Sequence, residues 1–323
     1  SNLSQIFFRQ LDLPKPDIHL SIGGSTRGRQ IGEAIQALDV VFAEASPAAV
    51  VVQGDTNTVL AAAIAANARE VPLVHVEAGL RSYDRSMPEE HNRVLTDHLS
   101  DLLLAPTETA LNNLRTEGID ERRIEVTGNT VVEAVRRLIP TGDESDAILR
   151  SHDVARNHYV LATLHRPENV DDPDTLETIL RQLVALPIPV MIPMHPRTTA
   201  RISAFGLADV LSGLRVVGPV GYQEFLALGA GSAFLVSDSG GVQEEVSVYK
   251  RPLIVVRRST ERPEVLGTFA ELVPPGDGIN KVAMRWLEDL DRVHQRIATV
   301  ESPYGDGSAS QRSAEAIVGI INA

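Results

Sequence analysis

One local pattern recurs along this chain of 323 residues and constrains its fold more than any count does: a short apolar run, a polar turn, then a stretch of helical composition. Apolar runs stand at Ala48–Val52, Leu73–Val76 and Leu102–Ala105. After a break they return at Tyr159–Leu164, Val190–Pro193, Arg215–Val217, Ala233–Val236 and Leu253–Val256. Continuous apolar runs of this length suit strands buried on both faces, and their alternation with helices predicts doubly wound parallel sheets of the α/β class. Helix signals fill Thr26–Ala45, the Ala-rich stretch to about Arg69, and the segments opening at Pro88, at Pro106 and near Ser310. The segment Pro140–Asp153, rich in Pro, Gly, Ser and Asp, reads as a linker, so two α/β domains are expected.

Composition excludes several classes of function. With 43 acidic against 30 basic side chains and a net charge of −13, a nucleic-acid-binding surface is not expected. A phosphate-bearing ligand would instead be held by a few placed cations. No cysteine is present, which removes disulfides, thiolate metal sites and a thiol nucleophile. The sequence has no His-x-x-x-His pair or comparable ligand cluster, so no metal site is expected. The glycine-spaced dinucleotide fingerprint is absent too, which weakens a nicotinamide reading. No apolar run reaches the ~18 residues of a membrane span and no signal peptide is visible, so a soluble cytoplasmic protein is expected.

The polar residues that interrupt the pattern fall where ligands bind in such sheets. Asp55, Glu77, His165, His195 and Asp238 each lie just past the carboxyl end of an apolar run. In Phe234–Glu245 an apolar strand enters a Ser-Gly-Gly turn and a helix, so N–H groups near Ser239 and Gly240 would meet a phosphate. Glu245, further into that helix, would accept the paired hydroxyls of a ribose. Each position also has a structural reading. Asp55 would cap the next helix, Glu77 would pair with Arg81, and Glu89 and Glu90 would sit as first-turn acids behind Pro88. His165 and His195 would be satisfied loop histidines, and Thr260–Glu264 a helix start with a surface salt bridge.

Several motifs carry a resemblance to a known family. They are Gln53-Gly-Asp55-Thr, His75-Val-Glu77-Ala-Gly-Leu-Arg81, Pro88-Glu89-Glu90-His-Asn-Arg93, Thr127-Gly-Asn-Thr130, His165-Arg-Pro-Glu168-Asn, His195-Pro, Asp238-Ser-Gly-Gly-Val-Gln-Glu-Glu245, Thr260-Glu-Arg262-Pro-Glu and Pro303-Tyr-Gly-Asp-Gly307. In this order, across nearly the whole chain, they resemble the UDP-N-acetylglucosamine 2-epimerase family, most of all its non-hydrolysing bacterial and archaeal branch.

The resemblance implies two Rossmann-like domains of the glycosyltransferase-B type with an interdomain cleft. Their expected extents are 1–147 and 148–305, with a last helix, 306–323, returning to the first domain. It implies a homodimer that interconverts UDP-GlcNAc and UDP-ManNAc through 2-acetamidoglucal and needs neither metal nor nicotinamide cofactor. Asp55, Glu77 and Glu89 match the acid/base groups, tuned by burial and mutual repulsion, and His195 matches a histidine near the diphosphate. Ser239 and Gly240 match the phosphate site, Glu245 the ribose partner, Arg262 a UDP-contacting arginine and Phe225 the uridine pocket. His165 and Arg166 are expected in the cleft; in some relatives an arginine here contacts a second, regulatory UDP-GlcNAc.

Two departures stand out. The family's opening strand and Gly-Thr-Arg-Pro-Glu-type turn have no counterpart, since Ser1-Asn2-Leu3 matches a point inside the first domain. Val220 replaces a polar uracil contact of some relatives. A hydrolysing relative releasing ManNAc and UDP, and a nucleotide-sugar-binding protein without turnover, are the competing expectations.

Overall fold

The computed structural model describes residues 14–276 and 278–322. The expected amphipathic segment at Ile6, Phe7 and Leu11 and the match at Ser1-Asn2-Leu3 lie outside the described residues. The chain groups into two compact units, one formed by Lys15–Glu133 with Pro303–Ala323 and the other by Ala134–Ser302.

The first unit holds a parallel sheet of β1 (Val50–Gln53), β2 (Leu73–Val76), β3 (Leu102–Ala105) and β4 (Ile124–Val126), in that order. Gln53 is in register with Val76, so the segments leaving β1 and β2 start side by side. The helix Asn57–Ala68 packs its alanines against Val50, Val52 and Leu73. Its N-cap is Thr56, whose hydroxyl accepts the Val59 N–H at 3.4 Å. Every residue of β3 is buried, and the helix Ala309–Ile321 brings Ala316 onto Leu102 and Leu104. At Gly79, with φ +84°, an added Cβ would lie 2.4 Å from the Ala110 carbonyl oxygen. Only glycine fits there, directly after the acid Glu77 and Ala78.

The second unit carries six parallel strands: β5 (Val160–Thr163), β6 (Val190–Pro193), β7 (Arg215–Val217), β8 (Phe234–Ser237), β9 (Leu253–Val256) and β10 (Ala270–Val273). Their order is β10-β9-β8-β5-β6-β7. The chain builds outward from β5 in one direction and then resumes at β8 on its other side. The order therefore reverses at the β5–β8 pair, the place where doubly wound sheets bind ligands beyond their carboxyl ends. The two strands end together, with the Thr163 and Ser237 hydroxyls 2.6 Å apart.

Three expectations differ from what is found. Two strands were not anticipated, β4 and β10; both are sheet edges and both carry a glutamate that interrupts the apolar run. Pro140–Asp153 is not a linker, because it contains the helix Gly142–Ser151. Leu149 of this helix is buried and stands 2.8 Å from the Cβ position of Gly231. Acidic and turn-forming residues favour a helix start as much as a loop, and Asp143 and Glu144 occupy its first turn. The expected division after residue 147 therefore falls inside a helix, and the chain changes units after Glu133 and after Ser302. Among the described residues, no helix is long and apolar enough to cross a membrane.

Candidate functional site

In the second unit a cavity of about 380 Å³ opens past the carboxyl ends of β5 and β8. His165, His195, Phe225, Ser239 and Glu245 line it together, and Val220 forms part of its wall. Asp238, at the turn itself, is buried and faces inward. Its carboxylate accepts the backbone N–H groups of His165 at 3.0 Å and Arg166 at 2.9 Å, and the Asn169 side-chain amide at 3.0 Å. The His165 ring lies 3.0 Å away as well. Burial alone would raise the Asp238 pKa, yet these donors hold it below the usual carboxylate range. Asp238 thus ties the β5 and β8 turns to each other.

The helix Gly240–Tyr249 starts at the cavity with Ser239 as its N-cap, and the Ser239 side chain makes no capping bond to it. Arg262 runs directly under this turn: a Cβ on Gly240 would come 2.6 Å from its Nη1. Its guanidinium contacts Glu244 at 2.7 Å and also Glu261, while Arg257 meets Glu261 at 2.9 Å and Arg166 approaches it at 4.0 Å. Gly240, Arg166 and Arg262 therefore lie beside the cavity, in a buried ion network, rather than on its wall.

Three groups on the wall have displaced protonation: Glu245, His195 and Tyr222, whose phenol is pushed up by burial. Burial pushes the Glu245 carboxyl up to about 7, against a smaller downward pull from Tyr222, whose O–H donates to Oε1 at 2.9 Å. Glu245 Oε2 is buried without a hydrogen-bond partner. His195 caps the helix Pro196–Phe205, its Nδ1 accepting the Arg197 N–H at 3.2 Å. That bond leaves the proton of the neutral ring on Nε2. Burial, then the His165 ring with its centroid 5.5 Å away, lowers the His195 pKa. His195 is consequently an uncharged N–H donor near neutral pH.

The acids of the first unit form their own cluster. Asp55 follows β1 and does not cap the next helix; its carboxylate meets Arg93 at 2.5 Å. Arg93 also contacts Glu90 at 2.6 Å, and Glu90 accepts the Ser82 and Tyr83 N–H groups at 3.0 and 2.8 Å. Glu90 is thereby committed to structure, whereas Glu89, beside it in the first turn of the helix Pro88–Leu99, is only half-buried. Glu77 follows β2 and accepts from the Gln53 amide at 3.0 Å. Its backbone is left-handed, with φ 68°, a conformation that strains a residue other than glycine and that clusters at functional positions. Glu77 does not pair with Arg81. That arginine is turned to the buried Asp97 at 2.7 Å and to the half-buried Glu117 at 2.6 Å.

Sequence reasoning missed Tyr222, the Arg93 bridge and the buried His75–Asp97 pair. A signal existed for the first, because Tyr222 and Phe225 share one helix face at a spacing of three. Among the described residues no group of three or more His, Asp or Glu side chains could hold a metal ion.

A family model described as UDP-N-acetylglucosamine 2-epimerase matches residues 1–318. The chain belongs to the UDP-N-acetylglucosamine 2-epimerase family. A UDP-N-acetylglucosamine 2-epimerase of Methanocaldococcus jannaschii is 40% identical over 320 residues, covering 96% of this chain and 86% of that protein. A UDP-2,3-diacetamido-2,3-dideoxy-D-glucuronate 2-epimerase of Pseudomonas aeruginosa is 38% identical over 325 residues, covering 98% and 87%. Of solved structures, the M. jannaschii UDP-GlcNAc 2-epimerase in complex with UDP-GlcNAc and UDP superposes with a TM-score of 0.87 at 39% identity, covering 98% of this chain and 88% of that one. The Neisseria meningitidis UDP-GlcNAc 2-epimerase bound to UDP-GlcNAc gives 0.89 at 29%, covering 98% and 89%. This epimerase-family chain has the two-sheet α/β fold of the glycosyltransferase-B type.

Proposed function

We propose that this member of the epimerase family acts on UDP-GlcNAc without hydrolysing it, converting it reversibly to UDP-ManNAc. Epimerase activity follows from family membership and from relatives that align over nearly the whole chain. The finer reading rests above all on the strained Glu77 beside the Arg93-held Asp55, two acids at the ends of neighbouring strands.

In this reading a carboxylate from the set Asp55, Glu77 and Glu89 takes the C2 proton as the C1–O bond breaks. UDP leaves with the bonding electron pair, and a C1=C2 double bond forms in 2-acetamidoglucal. A second acid then returns a proton to the opposite face of C2 while the UDP oxygen re-forms its bond to C1. The sequence is redox-neutral and consumes no water. The leaving diphosphate calls for donors that are in place before charge develops. His195 Nε2–H and the N–H groups of the turn at Ser239 and Gly240 are the donors assigned to it. Glu245 accepts the ribose hydroxyls, Phe225 packs on the uracil, and Arg262 with Arg166 supplies positive charge nearby. A homodimer, a place for His165 in the substrate site, and a second, regulatory UDP-GlcNAc contacted by Arg166 belong to the same proposal.

The test is product analysis in deuterated buffer. UDP-ManNAc and UDP-GlcNAc carrying deuterium at C2 support the proposal. Free ManNAc with UDP marks a hydrolysing enzyme, and nucleotide binding without exchange marks a non-catalytic protein. The Pseudomonas relative favours one second reading, a diacetamido-uronate substrate. Turnover of that sugar nucleotide in preference to UDP-GlcNAc would establish it.

A further inference from the structure

The acids of the first unit stand on a buried ion cluster that the mechanism above leaves unused. His75, on β2, is completely buried, and both of its ring nitrogens meet oxygen. Nδ1 is 2.6 Å from Asp97 Oδ1, and Nε2 is 2.9 Å from the Gly54 carbonyl. A backbone carbonyl only accepts, so Nε2 carries a proton. Asp97 Oδ2 already takes the Gly79 N–H at 3.1 Å and the Arg81 guanidinium at 2.7 Å. Two donors on that oxygen favour an ionised Asp97. Nδ1 must then carry a proton too. Burial by itself would make the ring easier to deprotonate, but the Asp97 carboxylate outweighs it.

We infer that His75 is a positioning residue, an imidazolium cation that clamps the Gly54-Asp55 and Glu77–Gly79 segments together and so fixes the two acids for proton transfer. The ring binds the carbonyl immediately ahead of Asp55, and through Asp97 it binds the N–H two residues beyond Glu77. No other side chain among the described residues is hydrogen-bonded both to the Gly54 backbone and to a group that holds Gly79. The inference rests on the proposed acid/base roles of Asp55 and Glu77, but the state of the ring does not.

The experiment has two arms for that reason. In protein labelled with 15N at histidine, the ring nitrogens of His75, assigned by their loss in His75→Gln, are expected both to carry protons at pH 7. A neutral ring overturns the inference whatever the activity. In the second arm His75→Gln is compared with the wild type for C2 exchange, for KM and for UDP affinity. Displaced acids predict a fall in kcat of about 100-fold with KM and UDP affinity within about twofold. A folded His75→Gln protein with wild-type kcat overturns the positioning role, as does one in which UDP affinity falls in step with kcat. A wild-type protein that never exchanges C2 refutes the epimerase reading and with it the catalytic purpose of the clamp, while the ring measurement still decides the charge. If His75→Gln does not fold, Asp97→Asn supplies the assignment and the kinetic comparison, with the same expected and overturning results.

Discussion

Arg93 reaches from the helix Pro88–Leu99 to within 2.5 Å of the Asp55 carboxylate, 38 positions earlier in the chain. The same guanidinium holds Glu90, so one side chain both neutralises a structural acid and aims a proposed reacting one. Arg93→Met should cost about 3–5 kcal/mol of stability, because it leaves a buried carboxylate without its partner. Arg93→Lys keeps the charge but loses the two-pronged geometry. It should remain folded in urea titration while kcat drops at least about tenfold, a separation that a purely structural arginine would not give.

Glu77 predicts a conflict between stability and function. Its left-handed backbone stores on the order of 1 kcal/mol of strain that glycine does not feel. Glycine returns part of that as unfolded-chain entropy, about 0.4–1 kcal/mol. Glu77→Gly should therefore unfold at nearly the same denaturant midpoint as the wild type while C2 exchange disappears. A large loss of stability would mean that the Gln53 contact, not the chemistry, explains the residue.

Gly240 separates nucleotide grip from folding in a different way. An added methyl would lie 2.6 Å from Arg262 Nη1 and 3.0 Å from Glu261 Oε1, so Gly240→Ala must push the guanidinium aside. We expect the Kd for UDP, by calorimetry, to rise about tenfold, equivalent to about 1.4 kcal/mol. The thermal midpoint should move by only a few degrees, since the displaced atoms are the end of a long side chain.

Glu245 predicts a pH dependence with a definite sign. Its folded pKa, about 7, is above its ordinary value, so its contribution to stability is present below the ordinary pKa and is lost as pH rises through about 7. Ribose hydroxyls donate to a carboxylate and favour the ionised form, so UDP binding should release a proton. Affinity should strengthen by about tenfold between pH 6 and 8, the range over which the free group ionises. Glu245→Gln should flatten that slope, and calorimetry in buffers of different ionisation enthalpy should lose the released proton.

Much of the frame was legible because buried parallel strands are continuous apolar runs. Leu73–Val76, Leu102–Ala105, Val190–Pro193 and Leu253–Val256 need no tertiary information to be recognised. Ile124–Val126 and Ala270–Val273 were not legible, because an edge strand tolerates a glutamate where a central one does not. Position after a strand also singled out Asp55, Glu77, His165, His195 and Asp238. Partners separated by tens of residues were beyond reach: Arg81 has an acid four residues before it, yet turns to Glu117, 36 positions away. The fold decides that choice by bringing Asp97 and Glu117 to the guanidinium, which spacing along the chain does not reveal. The same holds for Glu245, whose raised pKa comes from its enclosed place under Tyr222.

The most direct measurement is a proton NMR time course of UDP-GlcNAc incubated with the protein in D2O. The account predicts that the C2 proton signal of the starting sugar nucleotide fades while UDP-ManNAc bearing deuterium at C2 accumulates, with no free sugar. Retention of the C2 proton throughout, in a protein that binds UDP, would contradict it.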